Sequence, residues 1–352
     1  MKAWNIALLI GLSLHSACKT EGTEAESASG LKAGGEDEGG RPAQLYRFDP
    51  WMDTLRQTIE TPDATPDSIA DQIVAGPSRI SAFNLQGLCR IYGDEDKMFG
   101  KMRDDFKDIE DVIGQWDKYN NVLGKAEEKG KSPEVIAKLE EKLADAREGI
   151  KALLVERNWV RDDQGETRLA KIQRHLDEYG WKKYRKDRET VLTYLIDALK
   201  SIKETKYNLK HLEEGDGLHE LRRDLRWVSI EMRILNGLIG FEKDTQNCPL
   251  DAYADLVNQK VAESKYSQLP PSETEPDVCK IPQCLYLGMA EMIEEFGEIK
   301  DDAETDVNTS GDEDVSDKVP KKFREKAEKL YSKMTDNRLI DELKDELKKC
   351  IN

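Results

Sequence analysis

Five side chains that can carry positive charge recur in one segment of the sequence: His219, Arg222, Arg223, Arg226 and Arg233. On a helix turning about 100° per residue they gather within an arc of about 100°. Leu218, Leu221, Leu225, Val228, Met232, Leu235 and Ile239 gather on the opposite side, where a core belongs. A one-sided row of guanidinium groups offers bidentate donors to phosphate or carboxylate oxygens, and a linear polyanion fits such a row. A histidine among them is expected to strengthen that binding when protonated at mildly acid pH. The competing reading is a salt-bridge face, in which the arginines pair with carboxylates of this acid-rich chain.

The elements that must position the stripe are helical. Apolar residues at helical period predict helices over 67–92, 96–123, 133–159, 166–186, 189–212, 218–241, 249–265 and 285–302, with two more after Pro320. Ser132-Pro133-Glu134 marks a helix start, and the acidic, glycine-bearing stretch 213–217 marks a break. Residues 61–66 read as a turn-rich connection and 46–51 as a lead-in segment. Nothing alternates as a strand does, so the fold class is all-α: long antiparallel helices without significant sheet. Two short echoes point to duplication or to chance. Phe106-Lys-Asp-Ile109 is echoed by Phe296-Gly-Glu-Ile299, and Arg79 and Arg90 share the spacing of Arg222 and Arg233.

His219, Arg222 three residues later and Arg226 seven later, with Arg223 and Trp227 on the same helix, resemble the signature of CHAD, the conserved histidine α-helical domain. The resemblance implies two pseudo-symmetric helical bundles with a basic central channel that binds inorganic polyphosphate. It assigns polyanion binding to His219, Arg222, Arg223, Arg226 and Arg233, and in part to Arg79 and Arg90. The helix carrying those last two has no histidine.

Composition sets the outer limits. The 352 residues carry a formal net charge of −17, with 38% hydrophobic and 36% charged residues. That is too polar for a multi-span membrane protein and too rich in order-promoting residues for a wholly disordered one. The acidity argues against a general nucleic-acid binder, which needs cationic surface to displace counterions. It is uneven: residues 171–233 hold 15 Lys/Arg against 12 Asp/Glu. A second cluster, Trp181-Lys-Lys-Tyr-Arg-Lys-Asp-Arg188, interleaves aromatics with cations and reads as a surface helix junction, or less simply as a nucleic-acid patch. His175 and His211 show no metal-ligand spacing. The phosphate-loop, dinucleotide, nucleophile-elbow and zinc-helix motifs are all missing, so the expectation is a non-enzymatic protein without a cofactor.

At the N-terminus, Lys2 precedes an apolar run of signal-peptide length that ends in Leu14-His15-Ser16-Ala17-Cys18. This resembles the lipobox of bacterial lipoproteins, although His15 stands where that family has Leu. The resemblance makes 1–17 a signal peptide and Cys18 the lipidated residue. With Lys19 next, it implies an outer-membrane lipoprotein of the cell envelope facing the periplasm or exterior. Ordinary cleavage near Ala17 is the alternative. Residues 18–45 read as a tether too poor in apolar groups to fold. A CHAD-like helical domain follows over 46–302, then an acidic linker over 303–319 and a helical segment over 320–352.

An oxidising compartment permits disulfides, and a staple within Cys248, Cys279 and Cys284 is the preferred pairing, ahead of a metal site. Asp306, Asn308, Ser310, Asp312, Asp314 and Asp317 have the spacing of a calcium loop with Gly311 at its turn, a pattern that acidic linker composition also produces. The partners expected are the membrane through Cys18, polyphosphate or another polyanion, or an envelope protein. In that last alternative the protein is a scaffold and the stripe an internal ion-pair network.

Overall fold

The computed structural model describes residues 42, 44–160, 166–212, 215–242, 248–258, 260–264, 267–271, 277–310 and 318–351. Cys18 and the rest of the signal and tether lie outside them, except for Pro42 and the tether's last two residues, 44 and 45. The described residues are all-α but for one two-stranded sheet. No helix among them is long and apolar enough to cross a membrane.

Local chemistry explains most boundaries. The lead-in segment is itself helical: α1 runs Leu45–Ile59 and buries Leu45, Phe48, Met52, Leu55 and Ile59. The helix expected over 67–92 is two. α2 (Pro66–Ala75) opens on a capping box between Thr65 and Ser68. α3 (Ser78–Ile91) starts afresh because Pro77 carries no N–H and forces Gly76 into an extended conformation. α4 (Lys97–Glu128) is capped by Asp96, whose side chain accepts from the Met98 N–H, and α5 is Pro133–Glu156. α6 (Arg168–Glu178) and α7 (Tyr184–Glu204) are shorter than expected, and extended residues around Trp181 separate them.

α8 (Leu218–Ile234) ends seven residues before the expected Phe241. Asn236 and Gly237 take positive φ of 50° and 89°, the left-handed conformation that stops a helix. Residues Ile239–Phe241 become strand β1, parallel to β2 (Cys279–Ile281), with Ile239 opposite Cys279. The helix expected over 249–265 reduces to the single turn α9 (Asp251–Ala254) and two 3₁₀ turns. α10 (Gln283–Ser310) runs well into the expected linker, and α11 (Lys321–Asp336) and α12 (Leu339–Lys349) follow.

Packing builds two helix pairs around the stripe. α4 folds back on α3, bringing Gly114 to Arg79, and α10 folds back on α8, bringing Tyr286 to Ser229 and Gly297 to Arg222. α3 and α8 run side by side in the same direction, with Phe83 against Trp227, Gly87 against Ile230 and Ile234, and Arg90 against Glu231. One connected core extends from α1 to α12, so the C-terminal helices share it. All seven residues assigned to that core face are buried, although Leu235 caps α8 and Ile239 belongs to β1, which leaves Leu218, Leu221, Leu225, Val228 and Met232 on the helix itself. At about 1.5–3 kcal/mol for each buried aliphatic side chain they fix the rotation of α8. Exposed ion pairs, at about 0–1 kcal/mol each, do not compete.

Two disulfides tie the far end. Cys248 bonds Cys284, a staple inside the expected trio, but Cys279 bonds Cys350 at the end of α12. The reason is positional: β2 passes beside α12, which brings Cys350 to Cys279, while Cys284 on α10 faces Cys248. Cys89 is a buried free thiol.

Candidate anion site on the arginine helix

The structure divides the expected site residues into engaged and open groups. Arg79 gives its guanidinium to Glu110 at 2.9 Å and Asp117 at 2.6 Å. Burial pushes the Glu110 carboxyl up, and Arg79 only partly offsets that. Arg90 pairs at 3.2 Å with Glu231, whose side chain is 1% exposed, and lies 4.8 Å from the centre of the Trp227 indole. Tyr194 donates to the same Glu231 oxygen at 2.8 Å. Burial raises the Glu231 carboxyl against the pull of Arg90. Arg223 is exposed and pairs within its own helix with Glu220 at 2.7 Å.

Arg222 differs. Its guanidinium lies against α10 at Gly297, where an added Cβ would stand 2.8 Å from Nε and 3.1 Å from Nη2. Its Nε is shut off from solvent with no hydrogen-bond partner, and no carboxylate among the described residues forms an ion pair with it. Arg226, one turn on, places its guanidinium 4.4 Å from the centre of the Phe83 ring and acts electrostatically on Glu110. Arg233 sits two turns further along, near the buried hydroxyl of Tyr286.

His219 completes the row on the α10 side. Burial first, and then the charges of Lys300, Arg223 and Arg222, hold its pKa down to about 4, with Glu304 opposing them. This corrects the expectation of a charged histidine at mildly acid pH: the imidazole stays neutral there because desolvation and three cations outweigh one carboxylate.

α4 and α10 contribute residues that the sequence reading passed over. Glu304 on α10 lies 2.7 Å from Lys118 of α4 and 2.7 Å from Lys300 of its own helix. Burial alone would raise the Glu304 carboxyl, but the two lysines hold it below its ordinary value. No local spacing links Lys118 to Lys300. Gly297 did leave a trace, since a glycine inside a helix costs about 1 kcal/mol and asks for a packing reason. The arrangement places nitrogen donors on both helices, Arg222 and His219 on α8 and Lys300 on α10.

The remaining candidates lie elsewhere. Asp306, Asn308 and Ser310 belong to α10, whose helical backbone is incompatible with a calcium loop. Asp312, Asp314 and Asp317 fall outside the described residues, and no group of metal-ligating side chains occurs among those described. The Trp181–Arg188 cluster is a helix junction. Trp181 packs against Phe48, Tyr92, Phe99 and Tyr179, and Lys182 pairs with Glu95. Asp187 is buried and accepts from Arg47 at 2.9 Å and from the Tyr92 hydroxyl at 2.9 Å.

Against this geometry, no protein-family model, no curated protein and no solved structure matches the chain.

Proposed function

We propose that the protein is a non-enzymatic helical binding protein, lipid-anchored at Cys18 in the cell envelope, whose α8 stripe takes a phosphate-rich polyanion such as polyphosphate. One observation carries the reading: in a chain with 71 Asp and Glu residues, Arg222 is partly buried, its Nε has no acceptor, and no described carboxylate pairs with it. A buried guanidinium donor without an acceptor costs about 1–3 kcal/mol, which an anionic oxygen would recover. His219, Arg223, Arg226 and Arg233 extend the row on either side, with Arg79 and Arg90 as its outer and already neutralised members.

The CHAD-like reading draws support from the two helix pairs. Each sets an arginine of its first helix against a glycine of its second, Arg79 against Gly114 and Arg222 against Gly297. Two disulfides support export, since such bonds persist in oxidising compartments. Titrating polyphosphate into the purified full chain at several salt concentrations tests the binding. Affinity should fall with salt, and Arg222→Gln should lower it about tenfold without lowering the melting temperature. Absence of binding at low salt overturns the reading.

A second reading, an envelope scaffold that docks a protein partner, is favoured by the carboxylate clamps on Arg79 and Arg90. It makes the whole stripe structural, so Arg226→Ala would then destabilise the fold and leave no ligand to lose.

A further inference from the structure

α10 and α11 run antiparallel, and an ion pair joins them near each end of their contact: Glu291 with Lys333 at 3.0 Å, and Asp306 with Lys322 at 3.4 Å. Between those pairs the helices leave a cleft of about 300 Å³, at the small end of the range for small-molecule sites. Its floor is apolar, made by Ile299 of α10 and by the buried Phe323 and Leu330 of α11. Its walls are charged and opposite in sign. Glu295, Glu298 and Asp302 share one stripe of α10, and Lys326, Lys329 and Lys333 repeat the same helical spacing on α11.

The two walls do not neutralise each other. Lys333 pairs with Glu291, one turn beyond the acidic stripe, and among the described residues Glu298, Asp302, Lys326 and Lys329 form no ion pair. Burial and then the neighbouring Glu291 push the Glu295 carboxyl up against the pull of Lys333, a state that a further cation would relieve. A simple cation would satisfy α10 and leave the lysines unmatched. A simple anion would do the reverse, and neither would cover the apolar floor.

We propose that the cleft binds a zwitterion whose ammonium and carboxylate groups are separated by a short apolar chain, the ammonium against Glu295, Glu298 and Asp302 and the carboxylate against Lys326 and Lys329. Packed helices hold their axes about 8–10 Å apart, so a chain of a few methylenes reaches from one wall to the other. The same methylenes cover Ile299, Phe323 and Leu330 and remove that floor from water. The site shares no residue with the α8 stripe, so it stands or falls independently of polyanion binding.

Calorimetric titration of 6-aminohexanoate into the purified full chain at low salt tests the site. Hexylamine and hexanoate keep the chain and one charge each, and should bind about tenfold more weakly. Shortening the probe by two methylenes, to 4-aminobutanoate, should also cost about tenfold. Glu298→Gln and Lys329→Gln, both at exposed positions that leave the fold intact, should each weaken 6-aminohexanoate severalfold. The same chemistry occurs in free ω-amino acids and at a peptide's C-terminal lysine, whose ammonium and carboxylate flank its aliphatic stem. Nα-acetyl-lysine, which carries the peptide's amide, separates these sources: affinity equal to that of 6-aminohexanoate assigns peptide ends, and a marked loss assigns the free acids. Absence of 6-aminohexanoate binding, single-charge probes that bind as tightly as the zwitterion, or variants that bind it undiminished would each overturn the proposal.

Discussion

Arginines alike in sequence differ sharply in what they can do. Arg90 cannot leave Glu231 without stranding a carboxylate that is 1% exposed. Arg90→Gln should therefore cost about 1–3 kcal/mol in chemical denaturation, the penalty of an unsatisfied buried group. Arg222→Gln should cost almost nothing, because it removes a cation that no described carboxylate balances. Equal destabilisation by the two would assign Arg222 a structural role. His219 supplies a pH signature. Its folded pKa of about 4 lies below the ordinary histidine value, so between about pH 6.5 and 4 the unfolded chain binds the extra proton. Its contribution to stability is complete above about pH 6.5 and declines as the pH drops toward 4. His219→Gln should lessen the loss of stability across that interval, which melting curves at pH 7 and pH 4.5 would register.

Among the elements, α12 and α10 have the clearest mechanical roles. α12 packs on α7 and is held to β2 by Cys279–Cys350, across a sequence separation of 71 residues. Closing a loop of that size constrains the unfolded chain by about 4 kcal/mol on the chain-entropy account. Cys279→Ser with Cys350→Ser should lower the melting temperature markedly and increase hydrogen exchange in α12 before α3 or α4; uniform protection in the double variant would show that packing alone holds the helix. On α10, Gly297 gives the Arg222 guanidinium room that a methyl group would take. Gly297→Ala should weaken polyphosphate binding as Arg222→Gln does, even though alanine is the better helix former. A variant that melts higher and binds fully would mean that Arg222 is not seated there when ligand is bound.

Over the whole molecule, acidity and anion binding are compatible because charge is unevenly placed and locally paired. The acidic surround imposes a long-range repulsion on any polyanion, which salt relieves, while the close contacts to arginine are weakened by the same salt. A polyanion should therefore associate slowly at low ionic strength for its affinity, and stopped-flow association rates should rise between 10 and 100 mM salt (about 30 to 10 Å of screening length) while dissociation accelerates. A rate that only falls with salt would indicate a net attractive field around the stripe. Lipidation belongs to this scale too. Labelling with a fatty-acid analogue in a bacterial host should mark the chain and should be lost in Cys18→Ser.

Residue order alone determined the helical class and the rotation of α8, because five apolar residues at helical period, from Leu218 to Met232, leave one face for the core whatever the neighbours are. It also determined three helix starts, where Thr65, Asp96 and Thr167 satisfy backbone N–H groups within three residues. Features set by contacts distant in sequence were not legible. The strand pairing of 239–241 with 279–281, the Cys279–Cys350 bond, and the choice of Glu231 for Arg90 but no carboxylate for Arg222 each depend on which helices become neighbours. The stripe was visible as a pattern of like residues. Which of its members stay open to a ligand was decided only by packing, since a carboxylate 31 or 141 positions away can neutralise an arginine as completely as one in the next turn.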